Sequence, residues 1–157
     1  MTASETEWPS VRAAQSIVLP SYQWMLSRIE SADGRLQTLV TFIATLALGV
    51  PAAVHSAGST LSLTAGWFLT ATALAVLAVV IGIVARSRGA VILPDPQSLY
   101  NTSLQLTEWE FQRDALFFAG KHFAKNKATV EAKSAAVSWM TILFLAELVC
   151  LFLWIIA

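Results

Sequence analysis

The sequence has very little charge and almost no cysteine. Only 13% of its 157 residues are Asp, Glu, Lys or Arg, and their charges cancel to a net charge of zero. A chain without net positive charge has no global basic surface for a nucleic acid. The single cysteine, Cys150, excludes a disulfide framework or a cysteine-based zinc site within one chain. Cys150 lies in an apolar run, where an inert buried thiol is expected.

The sequence also lacks the short motifs that carry well-known chemistry. It contains no phosphate-binding loop, no dinucleotide fingerprint, no Gly-x-Ser-x-Gly and no His-Glu-x-x-His. His55 and His122 have no second histidine or carboxylate at metal-ligand spacing, so neither predicts a metal site. We therefore expect no catalytic residue, no metal and no cofactor, and we interpret the chain as a non-enzymatic protein.

The N-terminal part does not have the order of a secretory signal. It lacks a short basic region followed by an apolar region and small residues, and it carries Glu5, Glu7 and Glu30. We therefore expect the first apolar segment to be retained as a membrane anchor.

The sequence is rich in long apolar runs. Hydrophobic residues make up 56% of the chain, which is more typical of a membrane protein than of a soluble one. Residues 36–54, 65–85 and 135–157 form runs of 19, 21 and 23 residues, close to the roughly 20 residues that a helix needs to cross a bilayer. These runs predict an all-α membrane protein with three transmembrane helices, which we call TM1, TM2 and TM3. Tryptophans near the ends of the runs match the interfacial aromatic belt of membrane proteins: Trp67, Trp139 and Trp154.

Periodicity and turn residues divide the rest of the chain around these runs. An apolar stripe at helical spacing, from Tyr22 to Leu36, predicts an amphipathic helix that continues into TM1. The predicted organisation is an irregular N-terminus at 1–20, the amphipathic helix with TM1 at 21–54, TM2 at 65–85, a cytoplasmic helical region at 86–134, and TM3 at 135–157. Within the N-terminus, Pro9 and Pro20 bracket a short piece that is a candidate surface helix.

Local signals refine these boundaries. The Pro94-Asp95-Pro96 sequence predicts the start of a short helix capped by Asp95. Thr107 and Glu110 form a capping-box pattern that places the start of the last helix near residue 107. Within TM2, small residues recur at four-residue spacing, which allows helices to approach closely in lipid: Ala71 with Ala75, and Ala78 with Gly82.

The distribution of positive charge predicts the orientation. All ten Lys and Arg residues lie before residue 36 or between residues 86 and 133, and none lies in the 55–64 loop. The positive-inside rule then places the N-terminus and residues 86–134 in the cytoplasm, with the loop and the C-terminus outside.

The last third of the chain carries two rows of residues at seven-residue spacing. The first row is apolar and uninterrupted by proline, which predicts one helix that leaves the cytoplasm and enters the membrane: Trp109, Leu116, Phe123, Val130, Val137, Phe144 and Leu151. The second row, three residues later, is called the polar seam: Gln112, Ala119, Asn126, Lys133, Met140, Glu147 and Trp154. Polar residues at such positions fix register and oligomer number. The seam predicts either a homo-oligomer around it or packing against the 21–54 helix within one chain, with Asn126 and Lys133 as its candidate residues.

Glu147 is the most unusual residue of the seam because it lies near the middle of TM3. An ionised carboxylate at the bilayer centre costs on the order of 2.5–3.5 kcal/mol on insertion scales, so we expect Glu147 to be neutral or partnered. Its place on the heptad face predicts that it points to another helix or to the axis of an oligomer. It is a candidate for lining a polar path or for gating. The alternative is a carboxyl group held by a hydroxyl on a neighbouring helix, for example that of Thr45, Thr70 or Thr72.

A basic cluster precedes TM3. Its members are Arg113, Lys121, Lys125 and Lys127. The cluster is a candidate site for an anionic lipid headgroup or a nucleotide phosphate. The alternative is a solvated face that follows the positive-inside rule.

One short stretch and the order of the segments resemble a known family. Ala32-Asp33-Gly34-Arg35, directly before TM1, resembles the Ala-Asp-x-Lys of small bacterial membrane effectors of the Pycsar type, with Arg35 where Lys is usual. The membrane hairpin, the Pro-rich exit and the helical stretch with Asn126 and Lys133 before a last membrane helix are also similar to that group. Related two-helix effectors of nucleotide-signalling systems are similar in outline. The resemblance covers most of residues 21–157.

The resemblance implies an anti-phage effector of the bacterial inner membrane. Such an effector oligomerises and damages the membrane when a second messenger, for example a cyclic nucleotide, is present.

Two function hypotheses therefore compete. In the first, the chain oligomerises and impairs or permeabilises the membrane, with the cytoplasmic helices as sensor. In the second, it is a membrane scaffold or adaptor that docks a cytoplasmic partner, and Glu147 only holds helices together. The expected partners are the lipid bilayer, further copies of the chain and a small anionic ligand, and no nucleic acid.

Overall fold

The computed structural model describes residues 10–58, 65–89, 92, 97 and 105–156. Over these residues the chain is helical apart from short turns, and it contains no strand. Three helices have defined bounds: α1 (Val11–Ser56), α2 (Gly66–Ser87) and α3 (Glu108–Ile156). Each is long and apolar enough to cross a membrane. The predicted all-α class with three potential membrane spans is thus confirmed.

Helix α1 begins earlier than the sequence predicts. Residues 11–20, for which the sequence predicts an irregular N-terminus with a candidate surface helix, are helical and continuous with the rest of α1. Val11 and Met25 are separated by 14 residues, which is two heptads, and both are buried. The apolar stripe therefore continues upstream of Tyr22. Pro20 removes the hydrogen bond to the Ser16 carbonyl group, but both residues lie on the exposed face, where water can replace that bond. Burial of the stripe therefore outweighs the cost of the proline.

Helix α3 begins where the capping box predicts and continues without interruption through TM3. The Thr107 backbone N–H donates a hydrogen bond to the Glu110 carboxylate over 2.9 Å, and the Glu110 N–H lies 3.4 Å from the Thr107 hydroxyl oxygen. These reciprocal bonds satisfy backbone donors that the first turn of a helix leaves unpaired. The predicted cap at Pro94-Asp95-Pro96 lies outside the described residues.

The chain divides into two compact units. The first comprises Met1–Ile29 with Ala90–Val130, and the second comprises Glu30–Gly89 with Glu131–Ala157. In the first unit, the N-terminal part of α1 and the first part of α3 bury apolar side chains: Val11, Met25, Ile29, Trp109 and Val130.

In the second unit α1 and α3 run parallel and α2 runs antiparallel to both. Asp33 contacts Lys133, at a sequence separation of 100 residues. One heptad further on, Val40 and Met140 both approach Gly82 of α2, so α1 and α3 keep the same offset. At the other end of the unit, Phe68 near the start of α2 packs on Trp154, with ring centroids 5.0 Å apart. This arrangement places the starts of TM1 and TM3 at one end of the bundle.

The inner face of α2 is made of small residues. Its buried positions alternate at three- and four-residue spacing: Ala71, Ala75, Ala78, Gly82 and Ala85. A Cβ atom at Gly82 would lie 2.9 Å from Val40 Cγ2 and 2.9 Å from Met140 Cε. The predicted close approach through small residues is therefore observed, and it is tightest at Gly82.

The outer faces of α2 and α3 are covered by large apolar side chains. Val76 of α2 is 58% exposed, and Leu145 of α3 is 56% exposed. Further members of this set are Leu69, Ile83, Trp139, Ile142, Val149 and Phe152. Contiguous apolar surface of this extent is unfavourable in water and favourable in hydrocarbon. The outer surface of the second unit is therefore compatible with a multi-pass membrane protein.

We predict that the α3 cap is sensitive to pH through Glu110. The Thr107 backbone N–H, and then its hydroxyl, lower the pKa of Glu110 below its usual value of 4.5. Because the pKa of Glu110 is lower in the folded protein than in the unfolded chain, the ionised carboxylate stabilises the cap at pH values above the unfolded pKa. That stabilisation is lost as the pH falls through the folded pKa. Thr107→Ala should speed amide hydrogen exchange in the first turn of α3 at pH 7. Glu110→Gln keeps the capping geometry but cannot ionise. It should therefore abolish the pH dependence of the protection of these amides against exchange, and an unchanged pH dependence of that protection would contradict the assignment.

We predict that a side chain at Gly82 destabilises the bundle. Gly82→Val should lower the free energy of unfolding in detergent by about 1–3 kcal/mol, because Val40 is stiff and the added methyl groups overpack the bundle. Gly120→Val is the matched control, since no atom lies within 4 Å of a Cβ at Gly120. Thermal unfolding of both variants in one mild detergent measures the difference. Equal melting temperatures for the two variants would refute the tight contact.

Candidate functional site

The polar seam of α3 is the most buried row of that helix. In the first unit Gln112 and Asn126 are buried and Ala119 is partly buried. In the second unit all members are buried: Lys133, Met140, Glu147 and Trp154. By contrast Phe123, in the apolar row, is 47% exposed. The seam, and not the apolar row alone, therefore faces the interior of each unit.

The seam is occupied within the single chain. Lys133 contacts Asp33 of α1, and Met140 packs in one apolar cluster with Leu36 and Ile43 of α1. Of the two predicted arrangements, the described residues thus show packing against the 21–54 helix. Any further copy of the chain would have to bind another face.

Glu147 is buried, and its carboxylate has no hydrogen-bond partner among the residues that the structure describes. The side chain is 1% exposed, and neither carboxylate oxygen is within hydrogen-bond distance of a donor. On the inner face of α3 it lies between Phe144, which packs against one apolar cluster, and Cys150, which belongs to a second apolar cluster. Glu147 therefore points into a helix interface, as its heptad position predicts.

The predicted threonine partners of Glu147 are wrong. The hydroxyl groups of Thr70 and Thr72 donate to the carbonyl oxygens of Gly66 and Phe68 in their own helix, over 2.8 and 3.0 Å. Thr45 is exposed. Threonine in a helix readily bonds the carbonyl group four residues earlier, and that local bond outcompetes a distant acid. Glu147 is consequently an unpaired polar group in the middle of an apolar span.

Lys133 is buried and paired with Asp33. Its ammonium Nζ lies 2.7 Å from Oδ1 and 2.8 Å from Oδ2 of Asp33, and the side-chain exposures are 4% for Lys133 and 34% for Asp33. Asp33 lies just before the first apolar run and Lys133 lies just before the last one. In two parallel helices these positions are at the same depth, and this is the feature of the sequence that could have predicted the pair. The heptad spacing predicts that Lys133 lies on an inner face, but it does not predict the contact with Asp33.

Asn126 holds the chain that precedes α3. Its Oδ1 accepts a hydrogen bond from the backbone N–H of Ile92 over 3.2 Å, and the Tyr22 hydroxyl donates to the Ile92 carbonyl oxygen. Asn126 and Tyr22 therefore clamp one residue of the chain between α2 and α3 within the first unit. Within the described ranges, the Asn126 Nδ2 group has no hydrogen-bond partner.

The basic cluster forms an open surface. Arg113 is engaged by the neighbouring Asp114 over 2.8 Å, and it also lies over the Trp109 ring. Lys121, Lys125 and Lys127 are exposed. The described residues thus present these cations outward, which is the geometry of a solvated or headgroup-facing surface.

The described residues hold no cluster of three His, Cys, Asp or Glu side chains that would bind a metal ion. His122 instead stacks on Phe118, with ring centroids 4.5 Å apart. No protein-family model, curated protein or solved structure matches this chain. The function must therefore be argued from the geometry of the seam.

We predict that Asp33 and Lys133 are energetically coupled. Asp33→Ala should destabilise the second unit strongly, because it leaves the Lys133 ammonium group buried without a counter-charge. Asp33→Ala combined with Lys133→Met should recover much of that loss, since no charge then stays buried. A double-mutant cycle measured by unfolding in detergent should give a coupling of about 0.5–3 kcal/mol. Additive effects of the two single changes would show that the pair does not hold the helices.

Proposed function

We propose that this chain is a multi-pass membrane effector that oligomerises and permeabilises the bacterial inner membrane. The observation that carries the proposal is the Glu147 carboxylate, which is buried in the middle of an apolar span and meets no hydrogen-bond donor in the described part of the chain. A buried polar group without a partner costs about 1–3 kcal/mol. A polar residue placed at such a cost is explained most simply if another arrangement of the helices uses it.

The proposed mechanism has a closed and an open arrangement of the bundle. In the closed arrangement the small face of α2 packs against Val40 and Met140, and the carboxylate of Glu147 is sealed between apolar clusters. In the open arrangement the helices separate at this depth and Glu147 meets water. A hydrated carboxylate in the span then stabilises a path for polar solutes across the hydrocarbon.

The orientation in this proposal follows the distribution of positive charge. All ten Lys and Arg residues lie outside the TM1–TM2 loop, which favours an N-terminus and a helical sensor region in the cytoplasm. The exposed lysines of the basic cluster then face the inner leaflet or an anionic ligand. Anti-phage defence and control by a cyclic nucleotide belong to the proposal through the sequence resemblance alone.

A membrane adaptor is the second candidate. The first unit has an open groove of about 170 Å³, lined mainly by apolar side chains: Gln15, Val18, Leu19, Tyr22, Ala115, Leu116, Phe118 and Ala119. Phe117 nearby in sequence is 73% exposed. Exposed apolar surface outside the spans favours binding of a protein partner. In this function Glu147 has no role beyond the bundle.

Glu147→Met separates the two candidates. Removing the unpaired carboxylate should raise the free energy of unfolding in detergent by about 1–3 kcal/mol. For an effector, the same change should abolish the release of trapped dye from vesicles that contain the protein, measured with and without added cyclic nucleotides. Glu147→Gln is the control, because it keeps a polar group of the same size and should retain part of the release. A stabilised variant that still releases dye like the wild type would exclude the role of Glu147, and a wild type that releases none would exclude the effector function.

A further inference from the structure

The outer face of α1 in the second unit has an unusual composition. Its exposed residues at alternating three- and four-residue spacing are small or carry hydroxyl groups, apart from one leucine: Ser31, Gly34, Thr38, Thr41, Thr45, Leu48 and Ala52. We call this row the outer seam. The spacing is that of the a and d positions of a coiled coil, which face a partner helix. The buried row of the same helix, which includes Leu36 and Ile43, already packs inside the bundle.

The outer seam is poorly suited to lipid. α1 has the least apolar of the three spans, yet only 6% of its most apolar stretch is buried, compared with 28% for α2 and for α3. In a bilayer the more polar helix is expected to be the better covered one. The outer faces of α2 and α3 carry large apolar side chains, whereas the outer seam of α1 offers mainly hydroxyl groups and glycine, with Leu48 as its one large apolar member. Small residues of this kind let a second helix approach closely.

The polar groups beside the outer seam are self-complementary. The Thr38 and Thr41 hydroxyls donate to the carbonyl oxygens of Gly34 and Gln37 over 3.0 Å, which leaves their oxygens as acceptors. Gln37 is exposed, and its amide both donates and accepts. Gly34, Gln37, Thr38, Thr41 and Phe42 line a shallow groove. Two copies inserted in the same direction place Gln37 at equal depth, so its amide can meet the partner's threonine oxygens or the partner's Gln37.

Charged residues at the start of the seam indicate a parallel partner. Glu30 precedes the a position Ser31, and Arg35 follows the d position Gly34, so they occupy g and e positions. In parallel coiled coils the g residue of one helix faces the e residue of the next heptad of its partner, and opposite charges there select orientation. Glu30 and Arg35 are exposed, and neither is ion-paired among the described residues.

We propose that the outer seam of α1 binds the same seam of a second copy in parallel. Glu30 of each copy pairs with the partner's Arg35, and the small residues allow the two α1 helices to come into contact. This inference rests on the proposed function for the premise that the chain oligomerises, and it names the face and the orientation. It also leaves the polar seam of α3 inside each copy.

Cross-linking in vesicles tests the face. In a Cys150→Ala background, Thr38→Cys and Thr45→Cys should each form a disulfide-linked dimer under mild oxidation, because a residue at a parallel seam meets itself. Ala73→Cys, exposed on α2, is the matched control and should not cross-link. Cross-linking at Ala73→Cys equal to that at Thr38→Cys would overturn the proposal, as would a monomer at every protein-to-lipid ratio.

Charge exchange tests the orientation and the partner. Energy transfer between labelled full-length copies in vesicles should show weaker self-association for Glu30→Arg and for Arg35→Glu, each by roughly fivefold. A mixture of the two variants should associate as well as the wild type. One chain then has two positive side chains at positions 30 and 35, the other has two negative ones, and both pairs between the chains are of opposite charge. Failure of the mixture to recover would exclude the parallel pairing of two copies.

A bulky residue in the outer seam tests close contact without disturbing the protomer. No atom lies within 4 Å of a Cβ at Gly34, so Gly34→Ile should fold normally but weaken association by about tenfold. Ala73→Ile on α2 is the control and should leave association unchanged. Association unaffected by Gly34→Ile would overturn the proposal. These readouts measure association and not leakage, so a dimer that releases no dye would refute the proposed function and leave the interface standing.

Discussion

The second unit depends on the ion pair between Lys133 and Asp33. An ammonium group as buried as that of Lys133 is tolerated only with a counter-charge in contact, and Asp33 supplies it from the parallel helix. The pair fixes which residue of α1 lies beside which residue of α3. The apolar contacts deeper in the bundle follow the same register, with Val40 and Met140 meeting over Gly82. Shifting either helix by one turn would separate the charges and also lose the fit to the small face of α2.

The number, order and class of the helices could be predicted because they depend on local properties. Apolar length, a Thr–Glu capping box and the absence of proline in α3 are each readable from adjacent residues. The choice of buried row could not be read in this way. Phe123 is exposed and Asn126 is buried because the position of α1 decides which face is covered. Sequence periodicity shows which residues share a face, but not where the neighbouring helix lies.

For the polar seam, the sequence predicts that Glu147 and Lys133 are buried but not which residues they contact. Glu147 and Lys133 were placed on an inner face by their heptad spacing, and both are buried. The partner of Lys133 lies 100 residues away, and the expected threonine partners of Glu147 bond their own helix instead. A contact between distant segments depends on the rotation of each helix, whereas a threonine hydroxyl always has a local carbonyl group within reach.

Burial of the α3 seam over three heptads also bears on which neighbour each of its members faces. A straight α-helix drifts by about 20° per heptad, so a row from Lys133 to Trp154 would turn by about 60°. All members of this row are buried, but their neighbours differ: Lys133 contacts Asp33 of α1, whereas Trp154 packs on Phe68 of α2. Glu147 lies two heptads beyond Lys133, so a straight helix places it about 40° around the α3 axis from the ion pair. A rotation of α3 about its own axis would therefore change which helix faces the Glu147 carboxylate.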